Sequence, residues 1–472
     1  MTNNMNNKVG LWTATATAVG IVVASSVMVS LGQGYGLGGP GFIIAMVVAL
    51  LLNVLVAFTF AELSGMMPKA GGMVNYTLPA LGPFVGMVSV LSGYVLVSMF
   101  AGGAEMYVAG VIVNDVFDLS ISPTIVSVIF VAALVLVNIR GVKLFGKVQV
   151  ALTSLMILSI VIIGLIGLTG TGSGEPLETS IEFNPLGVGI FSLVALAFWL
   201  FVGIEFVTPM AEELKNPKVY IPLSMVLGLL IILVADLIFG NAAIKYVPLD
   251  VLANSDSPHM DTSTAILGRT GQIWMGIVTI LATSSTLNTL LYAIPKMLQS
   301  MAELGQLPKV FAKLNKWGTP WISIIFMGAL MLMLVVANVT ATSSITTFIL
   351  AGALCWCITY IIAHINVIVL RFKYPNMKRS FKSPLGVTFQ IIGIIGMVFM
   401  VINIHPDPMM KTQIYQFAFV FLAFVVIFSL LWIKIKMKMK LFQTTNLSNQ
   451  ESSTGNPNEE PILDEKPNIN TN

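Results

Sequence analysis

Residues Ala195–Pro222 read ALAFWLFVGIEFVTPMAEELKNPKVYIP, and this stretch decides the fold. It is apolar enough to enter a bilayer, yet Gly203 interrupts its middle and Glu205 follows two residues later. It ends in the polar run Glu212–Pro217. An ionisable group in hydrocarbon costs roughly 2.5–3.5 kcal/mol on insertion scales, so it normally faces a cavity or a partner. An unwound backbone at membrane depth persists only where protein or a water-filled cavity satisfies it. Two readings follow. Phe198–Glu205 is one wall of a binding site near the bilayer midplane, or the stretch is a kinked packing helix with glycine at a helix contact.

Composition extends this reading to the whole chain. Of 472 residues, 56% are hydrophobic and only 10% charged, against about 25% charged in a soluble domain. The chain is therefore read as all-α and polytopic, with the lipid bilayer as its surroundings. A net charge of +3 gives no reason to expect nucleic acid. The segment Met1–Lys8 is polar and the first apolar run continues to Leu31, too long for the core of a signal peptide. Cys355 and Cys357 share one apolar run. At about 100° per residue they point to different helix faces, so neither a bridge nor a metal site is expected.

Apolar runs of spanning length fall near 11–31, 41–66, 84–113, 122–139, 148–170, 187–210, 220–244, 273–304, 321–338, 344–370, 385–404 and 414–433. That is about twelve spans. Alternate loops carry the Lys and Arg: Lys69; Arg140, Lys143 and Lys147; Lys215 and Lys218; Lys309, Lys313 and Lys316; Arg371–Lys382. The opposite loops carry Asp115, Asp118, Glu175, Glu178, Glu182, Asp256 and Asp261. The positive-inside bias places both termini in the cytoplasm of a cell-membrane protein. The chain divides into a cytoplasmic N-terminus (1–10), a transmembrane region (11–433), and a basic juxtamembrane segment with a polar tail (434–472). That tail is too poor in apolar surface to fold.

The first span, TATAVGIVVASSVMVSLGQGYGLGGPG, has small residues Ala24-Ser25-Ser26 at its middle and a glycine-rich exit. Small residues allow close helix approach. They also suit a broken helix whose free N–H groups face an anion. Many secondary transporters use two such broken helices at corresponding positions of inverted repeats. The first and sixth spans stand five apart, as two five-span repeats (about 11–170 and 187–370) followed by two extra helices (about 385–433) would require.

Three segments then carry a resemblance. Glu62-Leu63 with Met67-Pro68-Lys69-Ala70-Gly71-Gly72, Ala211–Pro217 with Ile221-Pro222, and Met301–Pro308 with Gly318-Thr319-Pro320 resemble motifs of the amino acid–polyamine–organocation superfamily of permeases. They occur in the family's order and on the expected cytoplasmic side. The resemblance implies a LeuT-like five-plus-five fold and transport of an amino acid or related amine by alternating access. It implies that Ala24, Ser25, Ser26 and Val27 lie where the family's first span breaks to hold a substrate carboxylate. Alanine and serine here replace the two glycines of that motif, so either the hydroxyls of Ser25 and Ser26 donate instead or the substrate lacks a carboxylate. It further implies that Phe198, Trp199 and Phe201 flank the substrate. Trp199 and Glu205 match a stacking aromatic and a gate acid of arginine–agmatine exchangers in the family. Packing remains the other reading of Trp199.

Other groups leave their roles open. Glu105, in FAGGAEMYVAG, pairs with a cationic substrate, joins a proton relay, or lines a wet vestibule. Asp236 is expected to make a structural hydrogen bond, and His364 to be packed or hydrogen-bonded rather than to carry protons. The fifth span has Met156 where some proton-coupled relatives carry Lys. Thr283, Ser284, Ser285 and Thr286 are ion ligands or helix–helix glue. The coupling ion (proton, sodium, or none, as in exchange) stays open, and no organic cofactor is implied. A hydrolase is set aside because only three histidines occur and no H-E-x-x-H. A channel is set aside because no filter element repeats. A cationic-amine carrier and a transport-incompetent nutrient sensor remain as alternatives.

Overall fold

The computed structural model describes residues 8–117, 120–178, 182–337, 345–405 and 407–445. Asp118 and residues 446–472, the bulk of the expected polar tail, lie outside the described residues. In chain order the helices are α1 (Leu11–Val22), α2 (Ser25–Gly38), α3 (Phe42–Met66), α4 (Met73–Leu81), α5 (Pro83–Val90) and α6 (Val97–Phe117). Then come α7 (Pro123–Ile139), α8 (Val142–Thr169), α9 (Val194–Trp199), α10 (Pro217–Tyr246), α11 (Leu249–Asn254) and α12 (Pro258–Glu303). The last four are α13 (Trp321–Val336), α14 (Ile345–Lys373), α15 (Val387–Ile402) and α16 (Pro408–Trp432). Eight helical stretches are long and apolar enough to cross a membrane, and four shorter apolar helices accompany them, among the described residues. The molecule is an all-helical, polytopic membrane protein.

Local sequence sets the helix ends. Pro83, Pro123, Pro217, Pro258 and Pro408 each start a helix, where a missing N–H is harmless. Asp407 caps α16 by accepting from the Met409 N–H at 2.8 Å. Side chains such as Leu51, Ile129, Leu158, Val234 and Phe424 point outward and are exposed. In a bilayer that face meets lipid, so it carries no penalty.

Polar groups are instead turned inward. Asn138 donates to Asn288 (2.9 Å), Asn288 to Gln149 (2.8 Å), and Gln149 to Ser285 (2.8 Å) and to the Ala16 carbonyl (3.2 Å). This ladder ties α7, α12, α8 and α1 together away from water, where each unsatisfied group would be costly. Gly20 makes the close approach feasible, since a Cβ there would lie 2.0 Å from Gln149 Nε2.

The run Pro258–Glu303 is broken at Gly268 (φ 61°, ψ −145°) into a short helix and a long one, a conformation suited to glycine. The long one, ending at Glu303, agrees with the eighth span read at 273–304. Asp236 departs from expectation: its Oδ2 is buried without a hydrogen-bond partner. The nearby polar donor Asn241 is committed to the Tyr35 hydroxyl and the Leu237 carbonyl. His364 is hydrogen-bonded, its Nδ1 lying 3.0 Å from Thr59 Oγ1 and 2.6 Å from Gln390 Oε1. Cys355 and Cys357 are free and buried.

One end of the bundle is tied by charged groups. Glu62 takes both Arg371 nitrogens (2.8 and 2.6 Å) and the Ser383 N–H and hydroxyl (2.8 and 2.6 Å). Glu213 pairs with Lys296 and accepts from the Tyr292 hydroxyl. Val9 bridges to Leu214 through Val9 N–H to Glu213 O (2.8 Å) and Lys215 N–H to Val9 O (3.1 Å). The Ala70 N–H donates to Glu212 at 3.0 Å, joining two of the motif segments.

Candidate functional site

Both proposed breaks are present. After α1, Val23 (φ −78°, ψ 89°) and Ala24 (φ −112°, ψ 169°) leave helical geometry. Ala24 is extended, a conformation open to any residue, so the break needs no glycine. The freed carbonyls of Gly20 and Ile21 accept from Thr286 Oγ1 at 3.2 and 3.4 Å. The freed N–H groups opening α2 point at Glu105. Ser25 N–H donates to its Oε2 and Ser26 N–H to its Oε1, both at 2.9 Å. The Ser25 hydroxyl also donates to Oε2, and Thr283 Oγ1 lies 3.3 Å from it. Two main-chain N–H groups and the Ser25 hydroxyl thus hold one carboxylate. Their occupant is the chain's own carboxylate.

The second break follows α9. Leu200 N–H and Phe201 N–H close a turn onto Ala197 O and Phe198 O (3.1 Å each). Gly203 adopts φ 102°, ψ 0°, and a tight 3-10 helix (Ile204–Glu213, containing Pro209) continues the chain. The Gly203 N–H donates to the Tyr360 hydroxyl at 3.1 Å. That hydroxyl donates to Glu205 Oε2 at 2.6 Å, and Trp356 Nε1 donates to Glu205 Oε1 at 3.0 Å. Both bonds hold Glu205 against α14.

The breaks meet at one small cavity of about 20 Å³, on the order of one water. Ala24, Ser26, Val27, Glu105, Trp199 and Thr286 line it, with Ile21, Val22, Val97, Ala101, Val202, Leu290 and Trp356. Trp199 Nε1 donates to Ser26 Oγ at 3.1 Å, and its ring meets Trp356 edge-on at 5.9 Å. Phe198 and Phe201 do not line the cavity. Phe198 packs edge-on against Tyr360 at 6.4 Å, and both phenylalanines are fully buried. At 100° per residue, Phe198 and Trp199 cannot share a face. Ser25 and Glu205 also lie outside the lining, each consumed by its own hydrogen bonds. Ser285 bonds to Gln149 and lies 3.0 Å from Thr153 Oγ1, while Ser284 is buried away from the cavity.

Trp356 and Tyr360 were not singled out in the sequence. They sit in ALCWCITYIIAH, where an aromatic in an apolar run reads as packing. Their four-residue spacing puts them on one helix face, which was the available signal.

Comparison with known proteins agrees with the architecture. A model of the amino acid permease family matches residues 9–431. The branched-chain amino acid permease BcaP of Bacillus subtilis (strain 168) is 24% identical over 428 residues, covering 85% of this chain and 89% of the relative. The serine/threonine exchanger SteT of the same organism is 25% identical over 409 residues, covering 84% and 91%. With the family match running almost end to end, the chain belongs to the amino acid permease family and is a membrane transporter of amino acids, not an enzyme.

Proposed function

We propose that this permease is a secondary transporter moving a neutral amino acid across the cell membrane by alternating access, with both termini in the cytoplasm. The observation that carries the reading is the convergence of two helix breaks on one cavity lined by buried residues. Breaks of this kind expose backbone N–H and C=O groups that can hold a zwitterion. The helices group as twelve spans: α1 with α2, α3, α5 with α6, α7, α8, the broken sixth, α10, α12, α13, α14, α15 and α16. A LeuT-like five-plus-five repeat with two extra helices accounts for breaks in the first and sixth.

In this reading Ala24–Val27 receive the substrate's carboxylate end and Trp199 covers it. Val27, Val97, Ala101, Val202 and Leu290 offer only apolar surface to a side chain, which suits the branched-chain substrate in one relative's name. The cavity is smaller than an amino acid, so it represents a closed site whose walls part on binding. Glu205, pinned by Trp356 and Tyr360, links the second break to α14 and acts as a gate toward the cytoplasm. The hydroxyls of Ser285 and Thr286 serve as helix–helix bonds. No organic cofactor is required, and the coupling ion is left to measurement.

Uptake of radiolabelled neutral amino acids into proteoliposomes tests the proposal. The wild-type protein should accumulate or exchange at least one of them. Trp199→Ala should lose at least about tenfold in affinity, or about 1.4 kcal/mol, while remaining folded. Ligand-induced thermal stabilisation without any flux would mark a sensor and overturn the transport reading. Unchanged affinity in Trp199→Ala would remove Trp199 from the site.

A further inference from the structure

The carboxylate of Glu105 sits where a carboxylate substrate would be expected. Two adjacent N–H groups open the 14-residue helix α2, each 2.9 Å from a different oxygen of the same carboxylate. This two-pronged hold at the positive end of a helix is a general anion site. Glu105 is 1% exposed. Its partners are two N–H groups and two hydroxyls, and no basic side chain pairs with it among the described residues. The small cavity touches Glu105 and Ser26 together, with Trp199 across from them. An arriving ligand therefore meets both the acid and Ser26, one of the residues whose N–H holds it.

An amino acid brings one carboxylate and one ammonium. Two carboxylates cannot share one pair of N–H donors, since like charges at that separation repel strongly in a low-dielectric interior. Resting on the transport reading above, we propose that Glu105 is a specificity-determining residue: a resident carboxylate that occupies the substrate's cradle, is displaced by the substrate's carboxylate, and then pairs with the substrate's ammonium. The charge balance closes. The site carries one negative charge with Glu105 alone and one with Glu105 plus a zwitterion. A lone carboxylic acid would displace Glu105 and leave it unpaired. A lone amine would pair with Glu105 still in its cradle, where Oε1 accepts a single N–H and keeps a free lone pair, so no exchange is needed. The exchange selects the zwitterion over the lone acid.

The test uses full-length purified protein and three ligands of one shape: valine, isovalerate (no ammonium) and isobutylamine (no carboxylate). Binding is read by calorimetry and thermal shift in the wild type, Glu105→Gln and Glu105→Ala. Acetate is added as a probe of the bare cradle. The wild type should favour valine over isovalerate by at least tenfold, and isobutylamine should lose affinity in both variants, which lack the charge it pairs with. Both variants remove the competing charge, so isovalerate should gain at least tenfold in affinity, and acetate should raise the melting temperature of Glu105→Ala but not of the wild type. Glu105→Gln keeps the shape of the side chain and guards against misfolding of the alanine variant. Isovalerate affinity that is unchanged or weaker in both variants, or isovalerate binding the wild type as tightly as valine, would overturn the proposal. If the wild type bound no amino acid, the transport reading would fail, while the isovalerate and acetate arms would still report on the cradle.

Discussion

Glu205 is fully buried and accepts from two donors, Tyr360 and Trp356. Glutamine at this position keeps the shape but turns an amide N–H₂ toward one of those donors. Leaving a buried donor unmatched costs about 1–3 kcal/mol. If this contact forms and breaks with the gate, the cost falls on the conformational step rather than on binding. Glu205→Gln should then bind substrate within about threefold of wild type, under 1 kcal/mol. It should also transport about tenfold more slowly, since each 1.4 kcal/mol is about tenfold in rate. Binding and counterflow measured on the same preparation separate the two. Wild-type turnover in the variant would rule out the gate.

Among the helices, the decisive features are two breaks and one close approach. Gly203 holds the left-handed conformation at φ 102°, and a Cβ there would lie 3.1 Å from the Trp356 ring. A non-glycine residue in that conformation costs roughly 1–2 kcal/mol. Gly203→Ala should therefore lower thermal stability and disturb the Glu205–Trp356–Tyr360 contact, giving slow transport as well. Gly20→Ala acts differently. Its backbone is helical, but the added methyl would overlap Gln149, Ser285 and Thr153, all joined in the polar ladder. Overpacking of this kind costs about 1–3 kcal/mol. Melting in detergent should show a clear loss for Gly20→Ala, whereas a melting point equal to wild type would mean that the ladder relaxes freely.

For the molecule as a whole, the prediction concerns orientation. Lys313 and Glu175 are both exposed and lie in loops of opposite charge bias. A cysteine at position 313 should react with a membrane-impermeant thiol reagent only from the cytoplasmic side, and one at 175 only from outside. The native Cys355 and Cys357 are buried and give little background. Labelling of both positions from one face would overturn the twelve-span reading. Labelling as expected would put the charged ties at the end that carries Glu62, Arg371, Glu213, Lys296 and Val9 on the inner face of the molecule.

Hydropathy, loop charge and three short motifs were enough to reach a polytopic permease. The first two depend only on the transfer of side chains between water and lipid and on where the apolar runs stop. The breaks at Ala24 and Gly203 were legible for a similar reason: small residues and a mid-span glycine are local marks of an interrupted helix. Residue roles were less so. The sequence grouped Phe198, Trp199 and Phe201, but helical rotation gave the cavity only Trp199. It named Glu105 without a partner, because the partner lies 79 and 80 residues away on another helix. It passed over Trp356 and Tyr360, whose importance comes from holding Glu205 across 151 and 155 residues. Spans and their breaks follow from local chemistry. Which acid fills an anion cradle, and which aromatic pins a gate, depends on contacts between distant segments, and only the packed tertiary structure brings those segments together.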